Sequence, residues 1–377
     1  MFNLTESDKK WIDDVWTKAD NKLKKVAVRS REKIPYTTIN GVHDNMAEKD
    51  ICWWTNGFWP GLMWLMYVDT KNDVYKETAE RAEELLDGAF ENYEGLHHDV
   101  GFTWLISSGV NYRLFNNQKS KIRTLYAANI LSSRYNIKGE FIRAWNHDCY
   151  GWAIIDCMMN IPLLYWASKE IDDPRYKYIA EAHANKTMEN HVRPDGSVNH
   201  IVVYDHLEGA GMIDNLAGQG YEVGSSWSRG QSWAIYGYIL SYIHTGKQEY
   251  LDTAKRVAHY FISCVCDDWL PKCDFRSPAE PVIYDTTAGA CAACGLIEIA
   301  RCVPEHEKKV YLNAALKLLT AMEEKFCNWE DDEDSILQMG TEAYRPREGG
   351  KHIPIIYGDY YFIEALYKLR DNDMLFW

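Results

Sequence analysis

Apolar positions recur along the chain with a helical period of three to four residues, and the helices that they predict are of two kinds. One kind is apolar and aromatic along nearly its whole length, which is typical of a helix buried on all sides. The other kind has one apolar and one charged face. We predict twelve helices in alternating pairs, with apolar helices at 57–68, 101–113, 151–170, 230–246, 286–302 and 357–370, and amphipathic helices at 6–26, 72–92, 118–135, 174–191, 247–265 and 305–326.

Four of the amphipathic helices carry a short repeat near their first residues. A tyrosine is followed four residues later by an alanine, which places both on one face of a helix. A unit that recurs in this way is typical of a repeat architecture, in which each hairpin packs against the next. Six inner and six outer helices predict an all-α fold, an (α/α)6 barrel or six-hairpin toroid, in a single catalytic domain covering residues 1–377. The repeats are Tyr75/Ala79, Tyr176/Ala180, Tyr250/Ala254 and Tyr311/Ala315.

The functional residues are expected where the inner helices begin. In a toroid the inner helices all run in one direction, so their first residues converge on one mouth, and helix N-termini favour anions. Trp54, Asp99 and Trp145 precede inner helices, and Tyr357 opens one. Arg229 adds a cation suited to a carboxylate. The mouth is therefore predicted to be aromatic and polar, and to suit an acidic sugar.

One carboxylate lies inside the most apolar of these stretches. The run at 151–167, GWAIIDCMMNIPLLYWA, places Asp156 among isoleucine, methionine and leucine residues, and we predict that it is a buried helix. Burial should raise the pKa of Asp156, which would make this side chain a proton donor near neutral pH. The alternative is that Asp156 hydrogen-bonds a neighbour and only fixes the packing.

Composition narrows the classes of partner. The net charge is −14 and no cluster of lysine and arginine occurs, so nucleic acid is not expected as a partner. Fifteen tryptophans and 25 tyrosines suit a cleft that stacks on sugar rings. With no apolar signal segment, no stretch long enough to cross a membrane and ten cysteines expected as free thiols, the chain is predicted to be a soluble cytoplasmic protein. The pair Cys291 and Cys294 lacks the second pair of ligands that a zinc site requires.

Seven stretches carry the distinctive residues of the chain, in the order WWTNGFWPG (53–61), LHHDVGF (96–102), RAW (143–145), AIIDCMMNIPLL (153–164), SWSRGQSWAIYGY (226–238), EPVIYDTTAGACAACGLIEIA (280–300) and YGDYYFIEAL (357–366). Together they resemble the unsaturated glucuronyl hydrolases, glycoside hydrolase family 88, over nearly the whole chain. The resemblance implies an (α/α)6 barrel that works without a metal or an organic cofactor, in agreement with the helix count.

The resemblance also implies an activity. The family acts on oligosaccharides left by polysaccharide lyases, whose non-reducing end carries a 4,5-unsaturated uronic acid. The enzyme hydrates this vinyl ether by protonating carbon 4 and adding water at carbon 5, after which the ring opens and the remaining sugar is released. Asp156 is the candidate general acid and base, and Asp99 matches the second essential carboxylate of the family. The role of Asp99 is left open between binding hydroxyls, orienting the site and stabilising positive charge.

The resemblance implies a sugar subsite built from Trp54, His98, Trp145, His200, Gln219, Trp227, Arg229 and Trp233. Trp233 also fits a core position within its helix, and His200 also fits a loop. The sequence His97-His98-Asp99 is compatible with a metal, although no further cluster of ligands supports one. Lys351 and His352 are expected to be solvated surface residues, with contact to a sulfate or an extended sugar as the alternative.

Other hypotheses remain open at this stage. A hydrolase of unsaturated galacturonyl-rhamnose has a related toroid, and the HHD motif argues against it. An isomerase of the N-acylglucosamine epimerase type would need paired histidine proton carriers deep in the barrel. A non-catalytic sugar-binding protein would not need an acid in an apolar stretch. An ordinary glycosidase is compatible with the two aspartates. The preferences for sulfation and linkage and the oligomeric state are not predicted.

Overall fold

The computed structural model of the chain describes residues 2–209, 211–346 and 349–377, and these residues are mostly helical. They contain two 3-10 helices, Tyr93–Gly95 and Ile155–Met159, and seven short strands, β1 (Thr38–Ile39), β2 (Val42–His43), β3 (Tyr135–Asn136), β4 (Phe141–Ile142), β5 (Trp152–Ile154), β6 (Ile201–Tyr204) and β7 (Met212–Leu216). The α-helices are α1 (Glu6–Arg29), α2 (Met46–Lys49), α3 (Phe58–Thr70), α4 (Asp73–Glu91), α5 (Val100–Trp104), α6 (Ser108–Phe115), α7 (Gln118–Ser133), α8 (Pro162–Ile171), α9 (Arg175–Asn190), α10 (Ser228–Thr245), α11 (Gln248–Val265), α12 (Thr286–Cys302), α13 (Glu305–Phe326) and α14 (Ile356–Leu369).

The helices form two concentric rings, which confirms the predicted (α/α)6 barrel. The inner helices α3, α10, α12 and α14 are buried along most or all of their length, and α10, α12, α14 and α3 pack against one another in that order. The outer helices α4, α11 and α13 bury one face only, each against the inner helix that precedes it in the chain. The amphipathic and the uniformly apolar patterns therefore correspond to the outer and the inner ring.

The repeated tyrosine joins neighbouring outer helices. All four tyrosines are buried, and the four partner alanines have no exposed surface. Each hydroxyl contacts a polar side chain of the preceding outer helix, which satisfies a polar group that would otherwise be left unpaired at a helix interface. The pairs are Tyr75 with Asp20 (2.8 Å), Tyr176 with Asn129 (2.7 Å), Tyr250 with Asn185 (2.8 Å) and Tyr311 with His259 (3.0 Å).

The prediction of one inner helix over 151–170 was wrong in its first half. Residues 152–154 form β5, the 3-10 helix Ile155–Met159 follows, and α8 begins only at Pro162. Proline is well suited to the first turn of a helix but would interrupt the interior of one. The neighbouring inner helix, predicted at 101–113, is likewise divided into α5 and α6. Asp156 therefore lies on a short 3-10 segment at the end of a strand.

One antiparallel sheet adjoins the helical ring, in the strand order β5-β6-β7. Its register pairs Ile154 with Ile201, and Ile201 with Leu216. β6 lies in the long connection between α9 and α10, within the stretch HIVVY (200–204), whose branched and aromatic residues are typical of a strand. The sheet fixes the relative positions of three chain segments that lead into the site described below.

Two further features bear on the class of protein. Within the described ranges, no helix combines the length and the apolar character needed to cross a membrane. All ten cysteines lie in those ranges, and each has a free thiol. Cys291 and Cys294 are both buried within α12, and the Cys294 thiol donates to the carbonyl of Tyr361 at 3.1 Å.

The contact between α10 and the 3-10 helix yields a test of the packing. A Cβ atom placed on Gly237 would lie 2.5 Å from Cβ of Met158 and 2.8 Å from its carbonyl oxygen, which is too close for any side chain. We expect Gly237→Ala to lower the free energy of unfolding by about 1–3 kcal/mol through overpacking, as measured by urea denaturation.

The matched control is Gly88→Ala on α4. There the nearest atom outside the helix backbone would be Cγ1 of Ile51 at 3.8 Å, an ordinary contact. Because alanine has the higher helix propensity, this variant should be more stable than wild type by up to about 1 kcal/mol. Equal effects of the two substitutions would show that α10 does not approach the 3-10 helix this closely.

Candidate active site

The sheet positions three of the predicted site residues at one of its ends. Asp156 follows the last residue of β5 by two positions, His200 immediately precedes β6, and Gln219 follows β7 by three positions. Because β5 and β6 are antiparallel and β6 and β7 are antiparallel, these three positions lie at the same end of the sheet. The sheet thus brings together residues that are far apart in sequence.

A hydrogen-bonding asparagine connects the two candidate carboxyl groups. Asn160 Nδ2 donates to Asp99 Oδ1 at 3.0 Å and lies 3.3 Å from the carbonyl oxygen of Asp156. Its amide oxygen accepts from the backbone N–H of Phe102 at 2.9 Å. Asn160 therefore ties the start of α5, which carries Asp99, to the 3-10 helix that carries Asp156.

The groups around Asp99 are buried and close to electrical neutrality. Burial, followed by the nearby Asp156, raises the pKa of the Asp99 carboxyl well above its usual value. Burial lowers the pKa of His97 to about 4 and holds the pKa of His98 well below its usual value. Burial therefore favours the protonated form of Asp99, and both imidazoles are uncharged at neutral pH.

His97, His98 and Asp99 are also the residues that the sequence analysis considered as metal ligands. Their ligand atoms all lie within 4.8 Å of one another, with His98 Nε2 at 3.2 Å from Asp99 Oδ1 and His97 Nδ1 at 3.4 Å from Asp99 Oδ2. A metal ion would bind the ionised form of Asp99, which burial disfavours. Catalysis without a metal remains our prediction for this site.

His200 faces Asp156 with a defined ring nitrogen. Its Nδ1 accepts a hydrogen bond from the backbone N–H of Gln219 at 3.0 Å, so the proton of the neutral ring is on Nε2. Nε2 lies 3.5 Å from Asp156 Oδ1, and neither atom has a hydrogen-bond partner among the described residues. The arrangement leaves Asp156 Oδ1 available to a substrate while presenting an N–H beside it.

Arg229 is anchored within the protein. Its Nη1 atom forms an ion pair with the buried Asp285 and donates to the carbonyl oxygen of Thr341 at 2.7 Å, while Nη2 donates to the carbonyl oxygen of Glu342 at 2.6 Å. The guanidinium carbon lies 4.6 Å from the ring centre of Trp227. Nε has no partner among the described residues. Most of the donors that the sequence assigned to a uronate are thus used inside the protein.

A cavity of ≈ 560 Å³ opens beside these residues. Trp54, Gln219 and Arg229 line it, together with Tyr357 at the start of α14. Residues from the starts of α3, α10 and α14 therefore meet in one cleft, as expected for inner helices that run in one direction. The cavity volume falls within the usual range for small-molecule sites. Its full lining is Tyr36, Met46, Trp53, Trp54, Gln219, Arg229, Glu342, Ala343, Arg345, Pro346 and Tyr357.

The predicted tryptophans take different positions. Trp145 is half-buried and packs edge-on against His98 with ring centres 5.9 Å apart, so it lies on the Asp99 side of the site. Trp227 is buried against His200 at 4.4 Å. Trp233 has no exposed surface and packs against Phe102 at 5.2 Å, which is the core position that the sequence left as an alternative.

The loop at 345–355 contains Lys351 and His352, for which the sequence left contact with a sulfate or an extended sugar as the alternative. Residues 347–348 of this loop lie outside the described ranges. Lys351 and His352 are both exposed. His352 Nε2 accepts from the backbone N–H of Tyr284 at 3.0 Å, so this ring is bound to the protein wall. The exposure of both residues is in keeping with the expectation of surface positions.

Sequence reasoning missed three residues of the site. Asn160 could have been noticed as a second polar residue in the apolar run, four positions after Asp156. Tyr36 and Glu342 line the cavity and are hydrogen-bonded to each other, but they are separated by 306 positions, so no local pattern connects them.

The chain is similar to known proteins over most of its length. No family model matches the chain. The chain is 36% identical over 334 residues to the unsaturated glucuronyl hydrolase of Bacillus sp. strain GL1, and the match covers 86% of this chain and 88% of that protein.

Solved structures agree with this similarity. The crystal structure of unsaturated glucuronyl hydrolase from Streptococcus agalactiae is similar with a TM-score of 0.90 and 30% identity, covering 100% of this chain and 95% of that one. A mutant of the Streptococcus agalactiae enzyme complexed with dGlcA-GalNAc6S is similar with a TM-score of 0.83 and 29% identity, covering 97% and 93% of the two chains.

The raised pKa of Asp99 predicts a pH-dependent stability. The unfolded chain releases this proton near pH 4, whereas the folded protein keeps it, so wild-type stability falls as pH rises from about 4 towards the folded pKa. Asp99→Asn removes the ionisable group and should therefore gain stability relative to wild type across this window, by about 1.4 kcal/mol for each unit of the shift. Scanning calorimetry at about pH 4.5 and about pH 7.5 measures the difference, and a constant difference would contradict the raised pKa.

Proposed function

The chain belongs to the unsaturated glucuronyl hydrolases, a family of glycoside hydrolases, and we propose that it removes the 4,5-unsaturated uronic acid from the non-reducing end of lyase-generated oligosaccharides. The reaction is hydration of the vinyl ether double bond. The proposed substrates are unsaturated disaccharides and short oligosaccharides of the glycosaminoglycan type. The similarity to a Streptococcus agalactiae enzyme solved with dGlcA-GalNAc6S supports this choice.

The observation that carries the proposal is the pair of buried carboxyl groups beside an aromatic cleft. Asp99 and Asp156 are held together through Asn160. Asp156 Oδ1 has no hydrogen-bond partner among the described residues and lies 3.5 Å from His200 Nε2. Protonation of a carbon atom needs an acid held close to that atom and shielded from water. Asp156 meets this requirement in position.

In the first step Asp156 donates its proton to carbon 4 of the unsaturated ring. The double-bond electrons form the new C–H bond, and positive charge develops at carbon 5 and the ring oxygen. The resulting Asp156 carboxylate lies 3.5 Å from His200 Nε2, whose N–H stabilises the new negative charge. Because Gln219 fixes the His200 tautomer, this donor is already in place before the proton moves.

In the second step water adds to carbon 5, and Asp156 accepts the proton that the water releases. The product is a hemiketal, which opens the ring to leave a ketone at carbon 5 and a hemiacetal at carbon 1. The hemiacetal then releases the remaining sugar as an alcohol. One carboxyl group thus acts first as acid and then as base, and one water molecule is consumed.

Asp99 acts as a neutral partner in this scheme. A protonated carboxyl group can donate to a sugar hydroxyl or to the neighbouring Asp156 carboxylate. The raised pKa of Asp99 disfavours a second negative charge next to Asp156. We assign sugar stacking to Trp54 and Trp145, and a supporting role beneath the cleft to Trp227 and Trp233.

The ten free thiols support a reducing compartment, and we propose that the enzyme works in the cytoplasm. The acidic net charge of −14 fits with a small sugar as ligand in place of nucleic acid. Residues 1–377 are proposed to act as one catalytic domain.

Asp156→Asn tests the assignment of the acid. The amide has nearly the same shape as the carboxyl group but cannot supply the proton, so kcat should fall by roughly 100- to 10,000-fold with unchanged circular dichroism. Loss of the ultraviolet absorbance of the conjugated alkene in an unsaturated chondroitin disaccharide measures turnover.

Asp172→Asn is the matched control for that substitution. Asp172 is exposed at the C-terminal end of α8, in a left-handed conformation that asparagine tolerates well, so this variant should keep wild-type activity. Full turnover by Asp156→Asn would remove Asp156 from the mechanism.

Isotope labels distinguish hydration from ordinary glycoside hydrolysis. In heavy-oxygen water the label should enter the keto group at carbon 5, and the released sugar should keep its own bridging oxygen. In D2O, deuterium should appear at carbon 4 with one stereochemistry, because Asp156 approaches from one wall of the site. Mass spectrometry and NMR of the products measure both, and label at carbon 1 alone would contradict hydration and favour a glycosidase with two carboxylates across the bond.

A further inference from the structure

The cavity beside the candidate acid contains a carboxylate that the proposed reaction does not use. Glu342 is half-buried and lines the cavity together with Trp54, Gln219 and Arg229. It is the acidic side chain of that lining, and it comes from the segment that connects α13 to α14.

The side chain of Glu342 is held in place on two sides. The hydroxyl of the buried Tyr36 donates to Glu342 Oε1 at 2.6 Å. On the other side, a Cβ atom at Gly350 would lie 2.4 Å from Glu342 Oε2, so the backbone of Gly350 approaches the carboxylate closely. The Tyr36 hydroxyl and this backbone together define the position of the carboxylate on the cavity wall.

The backbone of Glu342 fixes this carboxylate relative to the rest of the site. The Glu342 carbonyl oxygen accepts from Arg229 Nη2 at 2.6 Å and from Gln219 Nε2 at 2.6 Å. Gln219 in turn fixes the His200 ring that faces Asp156. The backbone of Glu342 is therefore connected through Gln219 to His200, which faces Asp156, while its side chain lines the cavity.

Asp156 is not among the residues that line the cavity, whereas Trp54, Gln219, Arg229 and Glu342 are. If the unsaturated ring lies against Asp156, as the proposed function requires, the sugar that is released extends into this cavity. Glu342 is a carboxylate on its wall, and a carboxylate accepts hydrogen bonds from hydroxyl groups and repels anions.

We propose that Glu342 is a specificity-determining residue that admits an unsubstituted hydroxyl group of the released sugar and disfavours a sulfate there. A repulsive element of this kind lowers the affinity for the wrong substrate without adding affinity for the right one. Among the described residues, two cations line the same cavity. Arg229 is paired with Asp285 and bound to the carbonyl oxygens of Thr341 and Glu342. Arg345 is exposed and therefore screened by salt, whereas the half-buried Glu342 is screened less. This inference rests on the proposed function.

The experiment compares kcat/KM for three unsaturated chondroitin disaccharides, which are unsulfated, 4-sulfated or 6-sulfated at the released sugar. Wild type should prefer the unsulfated compound. Glu342→Gln keeps the shape, the hydrogen bond from Tyr36 and the backbone contacts, but removes the charge. The Glu342→Gln variant should raise kcat/KM for at least one sulfated compound by about tenfold through a lower KM. Its kcat/KM for the unsulfated compound should differ from that of wild type by less than about threefold.

Two controls separate this effect from a general loss of charge or of fold. Glu324→Gln removes an exposed carboxylate on α13 and should leave all three kcat/KM values unchanged. Tyr36→Phe retains the negative charge of Glu342, so it should retain the discrimination against sulfate. Circular dichroism and Tm report whether each variant is folded.

The outcomes are distinguishable. If wild type turns over none of the three disaccharides, the proposed function fails. If wild type turns over the unsulfated compound and Glu342→Gln leaves the ratios for both sulfated compounds unchanged, the proposed function stands and the role of Glu342 is overturned. An equal gain for all three compounds, or loss of discrimination in Glu324→Gln, also overturns it.

Discussion

A carboxyl group that is cut off from water keeps its proton, and the mouth of this helical ring is arranged around that constraint. Asp99 is buried at the start of α5, and Asn160 ties it to the segment that carries Asp156. The two histidines beside Asp99 are uncharged for the same reason. The nearby Asp156 adds to burial in raising the pKa of Asp99, so the two carboxyl groups act on each other through a poorly solvated region.

The remainder of the structure supports this pair from two directions. The turn before α3 contributes Trp54, and the first turn of α10 contributes Arg229. The buried ion pair of Arg229 with Asp285 joins α10 to the start of α12. The sheet of β5, β6 and β7 positions His200 beside Asp156, and Gln219 beside His200. Since truncating one partner of a buried ion pair leaves an uncompensated charge, Arg229 contributes to the integrity of the barrel as well as to the lining of the cleft.

Periodicity was sufficient for the helical rings, because each outer helix shows one apolar face and each inner helix shows none. It failed at 151–170, since a short apolar run does not distinguish a strand from a buried helix, and Pro162 was the local signal for the true helix start. Arg229 was expected at the mouth of the barrel and lines the cavity, but its protein acceptors come from distant segments that local sequence does not identify. The contact of Tyr36 with Glu342 likewise depends on the closed ring and has no counterpart in local sequence.

The register of β5 and β6 has a consequence for redesign. Moving the pairing of Ile154 and Ile201 by one residue would turn alternate side chains to the opposite face and separate Asp156 from His200. The described residues between β6 and β7, 205–209 and 211, lie at the opposite end of the same sheet from Asp156 and His200. This connection is therefore the natural position for grafting an additional carbohydrate-binding peptide onto the enzyme.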